Sequence, residues 1–478
     1  MHRMSSHASL LWVAPLWLFH MTTSHLAGSD LWQVLADVAE RSQRYLNTLT
    51  DRRVAPSRED LAGLEAFDVP LPDTPTSAEA LVEELDRIGS PATVAMAGPR
   101  YFGFVNGGAL PGVLAANWLS TAWDQNGAFQ VMAPASTLLE RIALRWTKEV
   151  LGLPGECAGA FVTGTTVAHM TSLAAARDSL LERVGWNVRA DGLFGAPPIT
   201  VIVGAEAHPS LFKALGVVGL GRARVVTVPS DGQGRMRADA LPAVTGPTVV
   251  CMQAGNVNSG AFDPFAEIID RVRGSGAPVW VHVDGAFGLW ARVAPGRAHL
   301  TRGVELADSW ATDAHKWLNA TYDCGIAIVR EGEALRKSMA ISADYLPIDA
   351  DDPSDYTPEL SRRARGVEVW AALRTLGRTG LADLVERNCR LAKQFADGFT
   401  TAGLPVLNDV VLNQVLVSFG SAERTRQVIA AIQDEGTCWC GGTIWQGKPA
   451  MRVSVISWAT TEADVDRSLA AILRIARS

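Results

Sequence analysis

The sequence lacks the features that mark nucleic-acid-binding and disulfide-bonded proteins. The formal net charge is −7, and lysine and arginine are mixed with acidic residues, which argues against nucleic acid as a partner. The six cysteines are scattered and form no CxxC pair. Such usage favours a reducing compartment, the cytoplasm, over a disulfide framework.

A long hydrophobic segment is also lacking. The apolar run at residues 10–19 is too short to cross a bilayer as a helix, so we expect no membrane partner. The run follows His2 and Arg3 and has the length of a signal-peptide core, which leaves export as an alternative. We interpret it as an amphipathic arm that faces a partner subunit, or as a misjudged start site.

Apolar content and its periodicity predict an α/β protein. The chain has 478 residues, 48% of them hydrophobic, which is ample for a large core and more than one domain. Between residues 136 and 330, helical patterns alternate with strand-like runs near residues 160, 201, 226, 250, 281, 310 and 326. This alternation predicts a doubly covered, mostly parallel seven-stranded sheet. We expect an N-terminal helical arm at 1–98, a large α/β domain at 99–365 and a small α+β domain at 366–478.

A carboxylate and a lysine follow two of these strands. Asp284 ends the apolar run 279–283, and Lys316 follows the run that begins at Ser309. Pyridoxal phosphate requires an amine that holds it and an anion beside its ring nitrogen. Lys316 and Asp284 are candidates for these two tasks. The alternative is a solvated aspartate and a surface lysine, but their apolar, tryptophan-rich surroundings argue against it.

The segment FVTGTTVAHM predicts a phosphate site. A strand-like start breaks at Gly164, and Thr165 and Thr166 stand where a helix begins. The first amides of a helix are free donors at the positive end of its dipole, and threonine hydroxyls add further donors. A threonine N-cap without any ligand explains the same pattern.

Two polar residues after other strands are further candidates. His208 offers a flat ring that can stack on a pyridine and reach a substrate carboxylate, although a lone histidine is more often structural. Asn256 or Asn258 can donate to the phenolic oxygen of the cofactor, or simply form a turn. Asp263, which precedes a proline, is the predicted N-cap of the next helix.

Several motifs together resemble one family. HVDGAFG, then DAHKW, and the HPSLFKA that fits an HxSxxKA pattern look like the group II pyridoxal-phosphate-dependent decarboxylases, which include the aromatic amino acid, histidine and glutamate enzymes. The resemblance runs from about residue 99 to the C-terminus. It implies the aspartate aminotransferase-like fold type I, pyridoxal 5'-phosphate as cofactor, no metal, and a homodimer with active sites at the subunit interface. The N-terminal arm would pack on the partner subunit.

The resemblance assigns roles to the motif residues. Lys316 would hold the cofactor, and Asp284 would face its ring nitrogen. His208 would cover one face of the ring, and Ala286 would contact the other. His315 would contact the phosphate or the lid described below.

The resemblance also makes residues 164–166 the phosphate cup. The glutamate and asparagine that are usual in that motif are Val167 and His169 here, so their roles are not carried over. Arg452 stands where many fold-type-I relatives bind the substrate carboxylate. Decarboxylases depart from that use, so a structural role is the expectation for Arg452.

An acidic, proline-bearing segment behind Lys316 predicts a mobile lid. In similar decarboxylases such a loop brings a tyrosine to the substrate carbon after carbon dioxide has left, and Tyr345 stands at that position. Relatives with phenylalanine there tend toward oxidative deamination. Tyr345 therefore favours plain decarboxylation.

The resemblance implies a decarboxylase that converts an L-amino acid to its amine and carbon dioxide. An aromatic or modified amino acid is favoured by the aromatic residues near the expected pocket, namely Tyr101, Phe102, Phe104 and Trp123. Another pyridoxal reaction, such as oxidative deamination, transamination or β-elimination, shares the same residues. A noncatalytic cofactor-binding protein is the remaining alternative, against which Lys316 and Asp284 speak.

Overall fold

The computed structural model describes residues 31–341 and 351–478, which form two compact units. The first unit comprises residues 31–51 and 56–94, and the second comprises 52–55 together with the described residues from 95 onward. Tyr345 lies outside the described residues. The predicted domain boundaries at 98 and 365 remain a prediction.

The first unit is helical. Ser57 and Asp60 form a capping box at one helix start, and the Ser77 side chain accepts the Ala80 amide at 3.2 Å, as an N-cap should. Arg41 pairs with Asp86 at 3.0 Å. The helices are α1 (Leu31–Thr48), α2 (Arg58–Gly63), α3 (Ala78–Glu84) and α4 (Ser90–Ala92).

The second unit contains the predicted seven-stranded sheet. Its strands are β1 (Ala158–Val162), β2 (Thr200–Gly204), β3 (Val226–Val228), β4 (Thr248–Gln253), β5 (Val279–Asp284), β6 (Ser309–Asp313) and β7 (Gly325–Val329). Their order in the sheet is β1-β7-β6-β5-β4-β2-β3, and all pairings are parallel except those of β7 with β1 and β6. All seven predicted strands are confirmed.

Helices cover this sheet and frame a smaller one. They are α5 (Pro111–Trp123), α6 (Pro134–Val150), α7 (Thr165–Glu182), α8 (Val188–Asp191), α9 (Pro209–Val217), α10 (Phe265–Arg273), α11 (Gly332–Met339), α12 (Gly366–Thr401), α13 (Ala422–Glu435) and α14 (Glu462–Arg477). The smaller sheet is antiparallel, in the order β8-β10-β9, with β8 (Gln414–Val417), β9 (Gly441–Trp445) and β10 (Lys448–Ser454).

Strand β5 lies at the centre of the large sheet, and every one of its residues is buried. Alternate side chains of a strand point to opposite faces. Val279, Val281 and Val283 join the core on one face, whereas Trp280 packs with residues of α7 on the other. His282 and Asp284 therefore share the face that α7 covers.

Two predictions about individual residues were wrong. Phe102 is not a pocket residue, because it packs in the core of the smaller sheet with its ring 5.0 Å from that of Phe395. Asp263 does not cap α10, which begins at Phe265. Its carboxylate instead accepts the amides of Met236 and Gln253, each at 2.7 Å. The Asp-Pro pattern carries no information about these competing donors, which come from distant segments.

Candidate active site

Asp284 is a buried carboxylate at the carboxyl end of β5. One of its oxygens, Oδ1, accepts the Ala286 amide at 3.2 Å, and the other, Oδ2, lies 3.6 Å from Nε2 of His169. In an open parallel sheet this edge is where ligands bind. The turn that Ala286 forms thus fixes the orientation of the carboxylate toward that edge.

The surroundings of Asp284 keep it anionic. Burial by itself would raise the pKa of this carboxyl, but its interactions with His169, His208 and Lys316 lower the pKa by more. The pKa of Asp284 therefore lies well below its usual value, and Asp284 can serve as a permanent anion.

Lys316 follows β6 and is largely buried. Its Nζ lies 3.0 Å from Oδ2 of Asp313 and 6.0 Å from the ring centroid of Phe287. The loop before α5 packs closely against its backbone, because a Cβ on Gly107 would lie 2.2 Å from the Lys316 carbonyl oxygen. The amine is thus held near the same sheet edge as Asp284.

Asp313 is a site residue that the sequence reasoning missed. It ends β6 as Asp284 ends β5, and its Oδ1 accepts the Thr165 amide at 2.7 Å while Oδ2 pairs with Lys316. Burial would raise the pKa of Asp313, but its interactions with Lys316 and His315 lower the pKa below the usual value. A carboxylate at a strand end three residues before the lysine was the available signal.

The start of α7 lies beside this group. Gly164 precedes the helix. A Cβ on Gly325 of β7 would lie 2.4 Å from the Cα of Gly164, so the backbones of these two glycines are in close contact. Thr165 is buried, and its Oγ1 has no hydrogen-bond partner among the described residues. Thr166 is half-buried in the same turn. A buried hydroxyl without a partner at a helix N-terminus is suited to an anion.

His208 is the N-cap of α9. Its Nδ1 accepts the Ser210 amide at 3.3 Å and lies 2.7 Å from Ser210 Oγ. Burial lowers the pKa of His208, with Asp284 opposing the shift and Lys316 adding to it. The structure thus brings His208, Asp284 and Lys316 within electrostatic reach of one another, and His208 is neutral near pH 7.

The asparagine loop after β4 has the contacts of a turn. Oδ1 of Asn256 accepts the amides of Asn258 at 2.9 Å and Ser259 at 3.1 Å. Its Nδ2 donates to Gln253 Oε1 at 3.0 Å. These bonds match the turn-forming alternative, and donation from Asn256 to the cofactor remains a prediction.

His315 is buried next to Lys316. Its ring stacks on Tyr322 with centroids 4.4 Å apart, and its Nδ1 accepts the Cys324 amide at 3.2 Å. His315 Nε2 lies 3.6 Å from Asp313 Oδ2. Burial lowers the pKa of His315, with Asp313 opposing this shift. The ring is thus fixed between Tyr322 and the carboxylate that pairs with the lysine.

An aromatic group lies on the loop that leads to Gly107. The rings of Tyr101 and Phe104 both stack on Trp439, with centroid distances of 5.1 and 5.4 Å. Arg452 is mostly buried and donates to the Val257 carbonyl at 3.1 Å. Burial lowers its pKa to about 10, and Tyr101 opposes this shift. Trp439 is a second residue that the sequence reasoning missed.

The groups present fit pyridoxal phosphate. A largely buried amine, a buried anion and a hydroxyl without a partner at a helix N-terminus correspond to its aldehyde, ring nitrogen and phosphate. Within the ranges 31–341 and 351–478, no helix is both long and apolar enough to cross a membrane. Among the same residues, no group of three or more histidine, cysteine and acidic side chains is arranged to hold a metal ion.

Comparisons with known proteins agree with these features. Tryptophan decarboxylase 1 of Oryza sativa subsp. japonica is 30% identical over 347 residues, which cover 67% of this chain and 66% of the relative. L-2,4-diaminobutyrate decarboxylase of Rhizobium meliloti (strain 1021) is 29% identical over 444 residues, or 88% and 86% of the two chains. The crystal structure of Oryza sativa TDC with PLP and tryptamine shares the fold, with a TM-score of 0.85 at 24% identity over 94% of this chain and 98% of that one.

A family model also matches most of the chain. The pyridoxal-dependent decarboxylase conserved domain matches residues 62–419, which is more than half of the chain and includes every site residue described above except Trp439 and Arg452. Its description names the cofactor that the amine, the anion and the helix N-terminus fit. The chain therefore belongs to the pyridoxal-dependent decarboxylase family, and pyridoxal phosphate is its cofactor.

Proposed function

We propose that this chain is a pyridoxal-phosphate-dependent carboxy-lyase that converts an L-amino acid to its amine and carbon dioxide. The observation that carries the proposal is the convergence of the Lys316 amine and the anionic Asp284 beside the start of α7. Amino acid decarboxylases among the relatives support the same reaction class. Fold alone would not, because one fold hosts many reactions.

Each part of the cofactor has a counterpart in this chain. Lys316 would hold the aldehyde through its amine, and Asp284 would face the ring nitrogen and keep it protonated. Gly164, Thr165 and Thr166 would bind the phosphate with backbone amides and hydroxyls. Bound in this way, pyridoxal phosphate supplies the electron sink for the bond that breaks as carbon dioxide leaves.

The other site residues orient the substrate and handle protons. His208, neutral because burial lowers its pKa, presents a flat uncharged ring whose Nδ1 is fixed by Ser210. Ala286, with its small side chain, would contact the opposite face of the cofactor ring. Asp313 positions the Lys316 amine through the 3.0 Å contact between its Oδ2 and Nζ. Tyr345 is the proposed proton donor to the substrate carbon, by resemblance alone.

An aromatic amino acid is the substrate we favour. Tyr101 and Phe104, on the loop whose Gly107 contacts Lys316, stack on Trp439 from the segment before β9. Aromatic faces of this kind suit a flat apolar side chain. The diaminobutyrate decarboxylase relative supports a second candidate, an amino acid with a cationic side chain, which the same rings can bind through cation–π contacts.

A homodimer is the proposed assembly, with the active sites at its interface. Large apolar side chains are exposed in the stretch from α5 to α6, and exposed apolar patches often mark protein–protein interfaces. They are Trp118, Leu119, Trp123, Val131, Met132 and Leu138. Light scattering on the wild type and on Leu119→Arg tests this, with a mass of two chains expected for the former only.

A cytoplasmic location is also proposed. All six cysteines are free and buried, as expected of a protein from a reducing compartment. Fractionation of the native host, with export as the opposing outcome, tests this location.

The reaction is tested by screening L-amino acids against the cofactor-loaded protein. Carbon dioxide and amine are expected in equal amounts, above all with aromatic amino acids, and Lys316→Ala should abolish both along with the visible absorbance. Lys337→Ala, which removes an exposed lysine paired with Glu182, is the matched control and should retain activity. Ammonia, an aldehyde or a keto acid without amine would refute the proposal in favour of another pyridoxal reaction.

A further inference from the structure

A chain of buried polar side chains lies behind Asp284 and is not used by the mechanism above. Nδ1 of His169 lies 2.8 Å from Nε2 of His282, and Nδ1 of His282 lies 2.8 Å from Oγ of Ser309. The Trp280 indole N–H donates to the same Oγ at 2.8 Å. At the other end, Nε2 of His169 lies 3.6 Å from Oδ2 of Asp284.

Three secondary-structure elements build this chain. His169 comes from α7, which packs across the sheet. Trp280, His282 and Asp284 are alternate residues of β5, so their side chains point toward α7. Ser309 begins β6 and pairs with His282 in the sheet register. The order along the chain is therefore fixed by strand register and by one helix position.

The donors and acceptors give the chain a direction. The Asp284 carboxylate can only accept, so a neutral His169 carries its proton on Nε2, the atom that faces Asp284. Nδ1 of His169 then accepts from the Nε2–H of His282, and Nδ1 of His282 accepts the hydroxyl proton of Ser309. The Trp280 indole donates to a lone pair of the same oxygen, which leaves that hydroxyl proton for His282.

Both imidazoles are completely buried, which costs free energy unless their nitrogens are bonded. Nε2 of His169 has no hydrogen-bond partner among the described residues, and the carboxylate that it faces is Asp284, whose Oδ2 lies 3.6 Å away. Apolar side chains would fill the same space at lower cost. The placement of two polar rings here thus points to a task at Asp284.

We propose that His169, held in one tautomer by His282 and Ser309, is a positioning residue that directs an N–H at Asp284 and fixes this anion toward the ring nitrogen of the cofactor. The proposal rests on the proposed function only in taking Asp284 as the partner of that nitrogen. His169 stands where the resembling family usually has asparagine, so the imidazole chain is a property of this sequence.

The experiment compares four variants as cofactor-loaded proteins. His169→Leu removes the N–H, His169→Gln retains one near the position of Nε2, and Ser309→Ala removes the far end of the chain. Ser172→Ala is the matched control, since Ser172 is equally buried on α7 and outside the chain. The readouts are the cofactor dissociation constant, the visible absorbance maximum, and kcat and KM, with thermal melting as a check of folding.

For His169→Leu we expect a dissociation constant roughly 10- to 100-fold higher, the range for residues that orient a ligand-binding group, together with a shifted absorbance maximum. His169→Gln should recover most of the loss, Ser309→Ala should move the readouts slightly in the same direction, and Ser172→Ala should match the wild type. The effect on turnover should fall on kcat more than on KM.

A folded His169→Leu protein with wild-type absorbance and affinity would overturn the proposal. So would equal losses in His169→Leu and Ser172→Ala, which would mean only that α7 tolerates no change. The decarboxylase proposal is tested separately, by measuring carbon dioxide release. Cofactor affinity and absorbance do not depend on which reaction follows, so the two proposals fail independently.

Discussion

The amine of Lys316 lies 3.0 Å from Oδ2 of Asp313, and Oδ1 of the same carboxylate accepts the Thr165 amide at 2.7 Å. One buried side chain thus ties the cofactor-holding lysine to the first residue of the helix proposed to bind phosphate. Both partners are groups that the cofactor would engage. Asp313 keeps them in place before the cofactor binds.

This relationship predicts the effect of Asp313 substitutions on the cofactor-free protein. Asp313→Ala should lower the free energy of unfolding by about 3 kcal/mol, because it leaves a largely buried amine and a buried amide without their acceptor. Asp313→Asn, which retains one acceptor, should lose less. Urea unfolding measures both. The exposed Asp239→Ala is the control, and an equal loss there would contradict the prediction.

Substitution of Thr165 is predicted to weaken cofactor binding without lowering the stability of the cofactor-free protein. Thr165→Val preserves the shape and removes a buried hydroxyl that has no partner among the described residues, so the cofactor-free protein should be as stable as the wild type or slightly more so. Affinity for pyridoxal phosphate should fall about tenfold or more, the worth of a hydrogen bond to a charged group. Thr165→Ser should retain it. Absorbance titration with pyridoxal phosphate measures the affinity, and thermal melting of the cofactor-free protein measures its stability.

Gly107 is predicted to allow no side chain. A Cβ there would lie 2.2 Å from the Lys316 backbone oxygen and 3.2 Å from that of His315. Gly107→Ala should therefore shift the lysine, cost about 1–3 kcal/mol of stability and reduce kcat at least tenfold. Gly63→Ala, at a helical position with nothing within 4 Å, should be neutral or stabilising. Equal activity in the two variants would refute this.

Acid should destabilise the protein through its buried histidines. Burial lowers the folded-state pKa of His208 and of His282, so below pH 6.5 the unfolded chain takes up protons that the folded histidines do not. Their contribution is complete above pH 6.5 and is lost as the pH falls through the folded pKa, at up to about 1.4 kcal/mol per pH unit for each.

Urea unfolding between pH 7.5 and 5 measures this slope. His208→Gln should flatten it, because glutamine does not titrate, while the part that belongs to His282 remains. Asp284 and Asp313, whose pKa values are lowered, lose their contribution only below about pH 4 and do not confuse the result. A wild type whose stability is constant down to pH 5 would contradict the assignment.

Much of the fold could be predicted from the sequence because strands and helices are indicated by patterns of a few neighbouring residues. Seven short apolar runs predicted seven strands, and each formed within a residue or two of its expected place. Residues at the ends of those runs, such as Asp284 and His208, lie at one sheet edge because parallel strands share a direction. The family resemblance and the domain match agree with that reading.

Other features depended on partners that are far apart in the sequence. Asp313 meets Thr165 across 148 positions, and His169 meets His282 across 113. Periodicity gives the face on which a side chain lies but not which helix covers that face, nor the register that brings Ser309 beside His282. Phe102 was misjudged for the same reason, since its neighbour Phe395 belongs to a helix near the other end of the chain.

The sequence by itself determined which residue types stand at the ends of the strands and helices, because hydrophobic spacing, glycine and helix-start chemistry act over a few residues. Only the tertiary structure decided which of those residues meet, which carboxylate pairs with Lys316, and which ring stands behind Asp284. Hydrogen bonds and ion pairs act over about 3 Å. Distances of that size are set by the packing of whole helices and strands, which the local sequence pattern does not predict.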